Sequence, residues 1–99
     1  MIDKFYSTLF TNSRMVWYEE FAEREDMVGF YGHIQQTSAS LTQSLGLTFT
    51  KTFTIWCPLD TDVIEDDEII NNNVSYIVKF VKDLLVGNNN HKQLIVEKQ

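Results

Sequence analysis

The sequence contains little cysteine, since Cys57 is the only one among its 99 residues. A single thiol cannot form a disulfide within the chain, and small domains made for oxidising compartments usually carry several bridges. We therefore expect this chain to fold in a reducing cytoplasm.

Long hydrophobic runs are also missing, because no apolar stretch approaches the roughly 18 residues that a membrane-spanning helix needs. The first ten residues, MIDKFYSTLF, contain one lysine, an early aspartate and no small-residue cleavage site. They make a poor signal peptide and are expected to form the first strand instead. No membrane association is expected.

Positive charge is scarce. Lysine and arginine number 8 against 14 acidic residues, the net charge is −6, and the basic residues are scattered from Lys4 to Lys98. Proteins that grip nucleic acid by its phosphates need clustered lysine and arginine. The composition therefore excludes tight binding to a phosphate backbone, and any contact with DNA would be non-adhesive.

With 43% hydrophobic and 22% charged residues, the chain has the composition of an ordinary globular domain. Its length predicts a single domain over residues 1–99. A domain of this size buries very roughly 65% of the surface of its unfolded chain. That is enough for one small core but not for a deep internal cleft.

The second half of the chain carries the clearest pattern. Residues 49–58 (FTKTFTIWCP) alternate with a period of two and end at Pro58, the only proline. DEII, YIVKFV and HKQLIVEK follow, separated by an acidic turn at 60–68, an asparagine turn at 71–73 and GNNN at 87–90. Runs of this kind, with turn residues between them, are typical of all-β barrels and sandwiches.

The first half adds three candidate strands. Residues 5–10 predict a strand or a short helix, residues 11–13 a turn, and residues 14–21 a strand. A solvated turn at 23–26 and a strand at 27–36 follow. Together the two halves predict a small β-barrel or sandwich of about six or seven mostly antiparallel strands with one long inter-strand loop.

Two glycines stand inside the strand that precedes this loop. Gly29 and Gly32 predict a bulge, a barrel corner or the close approach of another backbone. Val28, Phe30 and Ile34 share one parity and are expected to face the core.

Two of the later strands have a second face that suits a subunit contact. In residues 49–58, Phe53, Ile55 and Cys57 face inward by parity, and a threonine row with a tryptophan faces outward. In residues 74–82, Tyr76 and Phe80 are expected inside. The middle of that strand is apolar on both faces, which indicates a central strand or an interface. The candidate subunit contacts are Thr52, Thr54, Trp56, Ile77 and Val81.

The connection at residues 36–48 is polar and too long for a hairpin. Its three leucines are Leu41, Leu45 and Leu47. The first two stand four residues apart, so a helical turn is possible, capped by Ser38 or Ser40 and ended by Gly46. Long loops inside compact domains are usually functional or disordered. Composition leaves open an ordinary mobile loop or a surface that buries its leucines against another molecule.

The six carboxylates in residues 60–68 make calcium the sharpest chemical hypothesis. The EF-hand pattern fails, because Ile64 stands where a third ligand should be and no glycine follows. We expect a solvated turn in which the side chain of Asp62 or Asp66 bonds the backbone.

No other pattern supports catalysis. Acids in a solvated turn lack the burial that separates the pKa values of a catalytic pair. His33 and His91 have no second ligand at zinc spacing. Cys57 falls on the inward parity, where a cysteine is ordinarily a small core residue. We therefore expect no enzyme activity, no metal and no cofactor.

Taken in order, the elements from Trp17 to Lys98 resemble those of a known family. VWYEEF precedes YGHIQQ, a polar loop ending in LGLTFTK leads into TFTIWCP, and TDVIEDDEI, NNNVSYIVKFV and HKQLIVEK follow. This order resembles the small head–tail joining proteins of tailed bacteriophages, also called head-closure or stopper proteins. Asp66 stands where such proteins have a glycine, so the turn must tolerate aspartate in the left-handed conformation.

The resemblance implies a non-catalytic barrel that assembles as a ring with copies of itself. The ring would lie in the virion neck below the portal and adaptor of a phage or prophage, after synthesis in the host cytoplasm. It would close the DNA channel, pass double-stranded DNA without specific binding and provide the surface for tail-completion proteins. The residues implied in gating are Gln36, Thr37, Ser38, Ser40, Leu41, Gln43, Leu45, Gly46 and Leu47.

Two hypotheses of other classes stay open. One is a small SH3-like barrel that binds a peptide or ligand at an aromatic patch of Trp17, Tyr31 and Trp56. The other, a metal- or nucleotide-handling enzyme, has little support among the site residues.

Overall fold

The structure is a computed structural model that describes residues 8–85 and 90–99. Residues 1–7 of the predicted first strand and most of the predicted turn at 87–90 lie outside these residues. The elements in chain order are β1 (Thr8–Trp17), β2 (Ala22–Gln36), α1 (Ala39–Ser44), a 3₁₀ turn (Phe49–Lys51), β3 (Thr52–Pro58), β4 (Glu68–Asn71), β5 (Val74–Leu84) and β6 (His91–Lys98).

The six strands of the described chain close into a barrel in the order β1-β2-β3-β6-β5-β4. Every pairing is antiparallel, and β1 completes the circle by pairing with β4. Full closure leaves no long open sheet edge around the barrel. The predicted all-β class, with about six strands and one long connection, is confirmed.

Inward-facing side chains from all six strands and from the acidic turn fill the barrel. Cys57 lies among them, as its parity predicted. The buried cluster consists of Phe10, Phe30, Ile55, Cys57, Val63, Ile69, Tyr76, Val78, Leu94 and Val96.

The polar middle of β1 does not turn, so the predicted turn at 11–13 is wrong. Asn12 and Ser13 are buried strand residues. Asn12 Nδ2 donates to Asp67 Oδ2 at 3.2 Å, and Ser13 Oγ donates to Glu68 Oε1 at 3.3 Å. These side chains bond a distant segment instead of the local backbone, and the two predicted strands around them are one continuous strand.

The outer part of the β1–β2 hairpin extends beyond the barrel. In the described chain, β4 pairs with β1 no further than Ser13, and β3 pairs with β2 only from His33 onward. Residues 15–25 pair across the hairpin alone and are called the arm below. The molecule is correspondingly elongated, with extents of 44 × 30 × 26 Å.

The arm contains the predicted solvated turn at 23–26, which is therefore wrong. These residues are the first part of β2 and pair with residues 13–16 of β1. The hairpin turns at residues 18–21, where the Tyr18 amide donates to the Phe21 carbonyl at 2.7 Å. The charged residues at 23–26 lie on a two-stranded ribbon with exposed edges, and they do not form a turn.

A bulge in β2 explains why one inward prediction fails. β2 carries an extra residue opposite β1 between the positions of Phe10 and Asn12. The bulge reverses the parity of the strand, so Val28 is 89% exposed, whereas Phe30 is buried and Ile34 packs against the core. The predicted inward position is wrong for Val28 and confirmed for the other two.

The glycines of β2 lie where another backbone comes close. A Cβ atom on Gly32 would stand 2.7 Å from the Trp56 carbonyl oxygen, and one on Gly29 would stand 3.0 Å from the Phe10 carbonyl oxygen. Gly29 also lies at the bulge. The predicted close approach and bulge are both confirmed.

A second bulge, at Lys79 in β5, changes which side chains face the core. The register with β6 shifts between Val78 and Phe80. Tyr76 is buried as predicted and Val78 is buried with it, but Phe80 is 40% exposed and Val81 packs against the core. The inward prediction for Phe80 is wrong, and so is the placement of Val81 on an outer contact face.

Left-handed backbone forms two of the turns. Asn72 and Asn73, with φ values of 51° and 64°, join β4 to β5 at the predicted asparagine turn. Asp66 has a φ of 74°, which confirms that an aspartate occupies the left-handed position expected of a glycine.

Tyr76 and Phe80 test the β5 bulge directly. Tyr76→Ala should lower the free energy of unfolding by about 3–5 kcal/mol, because its ring is buried against the Phe53 ring at a centroid distance of 5.7 Å. Phe80→Ala should cost about 1 kcal/mol, because the ring is partly in water. Urea unfolding measures both values. Equal losses would mean that the two rings share one face and that the bulge is absent.

Candidate functional site

The connection between β2 and β3 is ordered around a single helical turn. The Leu41 amide donates to Ser38 Oγ at the start of α1. At its end the Gly46 amide donates to the Gln43 carbonyl, the Leu47 amide donates to the Thr42 carbonyl, and Gly46 has a φ of 72°. The predicted helical turn, with its serine cap and terminal glycine, is confirmed.

The connection begins and ends later than predicted. Gln36 belongs to β2 and pairs with Phe53, so it is a strand residue and not part of the loop. β3 starts at Thr52, because residues 49–51 form the 3₁₀ turn. The connection therefore spans residues 37–51.

Threonine hydroxyls tie this connection onto β3. Thr37 Oγ1 and Thr54 Oγ1 share a hydrogen bond of 2.8 Å, and Thr52 Oγ1 donates to the Thr48 carbonyl at 2.6 Å. Thr52 is fully buried and Thr54 is 3% exposed. Both were candidate subunit contacts on an outward row, but the connection of their own chain covers that row.

The other candidate gating residues are mostly in solvent. Leu41 is 38% exposed, Leu45 and Leu47 are half-buried, and Thr37 is buried at the foot of the connection. None of the three leucines belongs to the core cluster. Their own subunit therefore shelters two of them in part and leaves the third accessible. The remaining exposed positions of the set are Ser38, Ser40, Gln43 and Gly46.

The remaining subunit-contact candidates lie on the outside of the barrel. Trp56 is half-buried, and its ring lies 5.8 Å from that of His33, its partner in the β2–β3 register. Ile77 is half-buried between Glu68 on β4 and Glu97 on β6.

The proposed aromatic patch forms only in part. Tyr31 is 56% exposed on the same outer face of β2 as His33, two positions from it, and His33 pairs with Trp56 of β3. Trp17 lies in the arm opposite Ala22, nine positions along β2 from Tyr31, a separation of about 30 Å in a strand. Trp17 is therefore not part of this cluster.

A buried ion pair organises the acidic segment. Asp67 is 1% exposed and accepts a fork of two hydrogen bonds from Arg14, Nε to Oδ1 at 2.9 Å and Nη2 to Oδ2 at 2.8 Å. The Ile64 amide and the side chain of Asn12 also donate to this carboxylate. The hydrogen bonds from Asp67, with the attraction of its charge, raise the pKa of the Arg14 guanidinium. Sequence reasoning missed this pair because its members are 53 positions apart.

The rest of the acidic segment is exposed, except for the half-buried Glu68. Glu68 binds Ser75 and Ser13 through its two carboxylate oxygens, and Asp62 pairs with Arg14 at the surface. The carboxylate that bonds the backbone of the turn is Asp67, and not Asp62 or Asp66 as predicted. Among residues 8–85 and 90–99, no group of three or more His, Cys, Asp or Glu side chains is arranged to hold a metal ion.

The thiol of Cys57 is buried, and its sulfur lies 3.8 Å from the Lys92 carbonyl oxygen. Burial raises the pKa of this thiol to about 11. A thiol that holds its proton so firmly is a poor nucleophile at neutral pH. No helix in the described parts of the chain is long and apolar enough to cross a membrane.

Comparison with known proteins finds relatives in fold but not in sequence. No protein-family model and no curated protein matches the chain. Protein SF1141 from Shigella flexneri 2a has a similar solution structure, with a TM-score of 0.73 and 13% identity over 99% of this chain and 96% of that one. The phage-like element PBSX protein xkdH from Bacillus subtilis is similar with a TM-score of 0.53 and 13% identity, over 93% of each chain. At this identity the likeness establishes a shared fold.

Removal of the buried carboxylate should destabilise the barrel. Asp67→Asn should lower the free energy of unfolding by about 3 kcal/mol, because it removes the buried carboxylate that binds the Arg14 fork and leaves only the exposed Asp62 as a charged partner. Asp62→Asn is the matched control and should cost less than about 1 kcal/mol, because the Asp62 carboxylate is largely in water. Urea unfolding measures both, and similar values would show that the pair does not hold the turn.

The raised pKa of the buried Cys57 thiol predicts that the protein loses stability at alkaline pH. The folded protein holds the thiol proton more tightly than the unfolded chain, whose ordinary value is 9.0. The thiol therefore stabilises the fold below pH 9, and this contribution is lost as the pH rises from about 9 to about 11. Free energies of unfolding across this range should fall more steeply in the wild type than in Cys57→Ala. If the free energies of unfolding of the two proteins fell in parallel with pH, the raised pKa would not belong to Cys57.

Proposed function

We propose that the protein is a non-catalytic structural subunit of a phage or prophage head–tail connector. It forms a ring below the portal or adaptor, closes the DNA channel and presents a surface for tail attachment. The observation that carries this proposal is the barrel shared with xkdH, a protein of a phage-like element. The ordered resemblance from Trp17 to Lys98 points to the same class.

The geometry of the β2–β3 connection supports a role in the channel. The connection is fixed to β3 at its foot through Thr37 and Thr52, yet it keeps Leu41 in solvent. An exposed leucine on a helical turn finds shelter when neighbouring copies converge around a ring axis. The same position lets the turn narrow the channel.

The charge of the protein suits a channel through which DNA moves. The net charge is −6, and such a surface does not hold phosphates by counterion release. A gate made of leucine, serine, threonine and glutamine side chains blocks the exit by bulk and lets DNA slide when it opens.

The alternative of a peptide-binding barrel rests on the cluster of Tyr31, His33 and Trp56 on the outer faces of β2 and β3. Aromatic side chains on a barrel surface can form the groove that recognises an extended peptide. In the connector proposal the same cluster faces a neck partner.

Electron microscopy distinguishes the two functions. The purified protein is mixed with a phage portal–adaptor complex, and a ring of additional density should appear below the adaptor. A peptide-binding module would leave the complex unchanged, and that result would overturn the connector proposal.

A substitution in the connection refines the experiment. Leu41→Ser should preserve the fold and the ring, because the side chain is partly in solvent, but should weaken the constriction. Heads that carry this variant should lose packaged DNA to added nuclease severalfold faster than heads that carry Ser40→Ala, the control at a neighbouring exposed position. If heads with Leu41→Ser and heads with Ser40→Ala retained DNA equally well, the connection would have no role in gating.

A further inference from the structure

The arm ends in a concentration of exposed aromatic side chains that the barrel does not explain. Trp17 is 80% exposed, Phe21 58% and Tyr18 42%, and Met15 on the same ribbon is 40% exposed. The largest apolar patch on a soluble monomer measures roughly 300–600 Å² and is often a functional one. Trp and Tyr are also the residues that most often dominate the energy of an interface.

The tip of the arm is held in one conformation. The rings of Tyr18 and Phe21 stack at a centroid distance of 4.9 Å, and the Tyr18 hydroxyl donates to Glu25 across the hairpin. Arg24 on the same ribbon donates to Ser13 Oγ at 3.2 Å at the root of the arm. A surface that is already ordered loses little entropy when a partner covers it.

The charges of the arm define what it can contact. The arm carries four glutamates and one arginine, and the charges along its edges oppose pairing with another strand. The contact must therefore be made through the aromatic tip, against an apolar surface with basic residues around it.

One surface with these properties lies on β5 and β6 of the same chain. Phe80 is 40% exposed at the β5 bulge and has a lysine on either side, at positions 79 and 82. Across the register Phe80 faces Ile95, and Lys82 faces Gln93. Lys79, Phe80, Lys82 and Gln93 are called the β5 patch below; Ile95 itself is buried, and Glu97 stands two positions along β6, opposite Ile77. Nearby on the strands, Asp83 is paired with Lys92, at 3.5 Å between Nζ and Oδ1.

The arm and the β5 patch lie on opposite sides of the barrel. In the closed order β1-β2-β3-β6-β5-β4, the β1–β2 pair is separated from the β6–β5 pair by one strand on each side. The arm therefore cannot reach the patch of its own molecule. Two complementary surfaces on opposite flanks are what a head-to-tail contact between copies requires.

We propose that the acidic aromatic arm of one copy docks on the β5 patch of the next copy and so joins the subunits of a ring. The inference deepens the connector proposal and rests on it, because it names the surfaces through which the ring closes. Trp17 covers Phe80, and the glutamates of the arm face Lys79 and Lys82 of the neighbouring copy.

The size of the contact sets its strength. The exposed parts of the three aromatic rings amount to about 350 Å², and a contact that buries this area on each partner falls below the roughly 1,000 Å² of a stable interface. A single docking event is therefore weak. A closed ring, in which every copy uses both surfaces, holds together much better than a dimer.

Cross-linking traps a weak contact of this kind. One sample carries Glu20→Cys on the arm, and a second, heavier by isotope labelling, carries Gln93→Cys within the β5 patch. The two are mixed at high concentration with a short bismaleimide and weighed by mass spectrometry. The wild type is the blank, because Cys57 is buried. The control pair is Glu20→Cys with Thr50→Cys, an exposed position away from the patch. The yield of the mixed 20–93 product should be at least fivefold higher than the yield of the 20–50 product.

Variants test the specificity of this product. Trp17→Ala or Lys82→Glu should each reduce the 20–93 product at least fivefold, and Glu23→Lys combined with Lys82→Glu should restore part of it. Tyr31→Ala, an exposed aromatic residue away from the arm, should change nothing. Any of three results would overturn the inference. The 20–20 product could dominate, the yield of the 20–93 product could be no higher than that of the control pair, or the yield could be unchanged by Trp17→Ala.

The outcome is separate from that of the connector proposal. If a ring forms on the portal complex but the 20–93 product does not, the ring closes through other surfaces and the function stands. If the product forms but no ring adds to the portal complex, the copies associate through the arm in some other assembly and the connector proposal fails.

Discussion

The fold depends on how β1 meets β4, because this is the short ladder that closes the barrel. Among residues 8–85 and 90–99, Thr11, Asn12 and Ser13 are the ones of β1 that pair with β4, so backbone hydrogen bonds alone give this joint little strength. The buried Asp67 carboxylate supplies the rest, since it binds Arg14 and Asn12 of β1 while its own backbone bonds Val78 of β5. A desolvated fork between arginine and carboxylate is directional, and it fixes where β1 leaves the barrel and the arm begins.

The sequence predicts the parts of this fold whose causes are local. Alternation in β3 and the asparagine turn after β4 are determined by neighbouring residues, and so are the serine cap and terminal glycine of α1. The left-handed Asp66 was predicted from the family resemblance, because such proteins have a glycine at this position. In each case the side chain acts on backbone within a few positions of itself.

The sequence does not predict features that depend on distant partners. The alternation of residues assigned Val28 and Phe80 to the core. Each of the two strands contains one bulge, and the bulge reverses the assignment, because a single extra residue moves the side chains beyond it to the other face. Asn12 and Ser13 have turn composition, yet they bond carboxylates more than 50 positions away. Thr52 and Thr54 face outward as expected and are still buried, because the length of a connection does not tell which surface it covers.

In the proposed connector, weak and directional contacts suit a subunit that should assemble only on its template. A head-to-tail interface that is stable between two free copies would extend into open filaments whenever the rotation fails to close. An interface made by one exposed aromatic arm avoids this outcome, because a single contact dissociates quickly and becomes lasting only when a template holds many copies at the angle that closes a ring. In the proposed contact the glutamates of the arm add selectivity, since acidic surfaces of other copies repel them and Lys79 and Lys82 attract them. The barrel supplies a rigid body that places the two surfaces on opposite sides, and its closure through Asp67 keeps that placement constant from copy to copy.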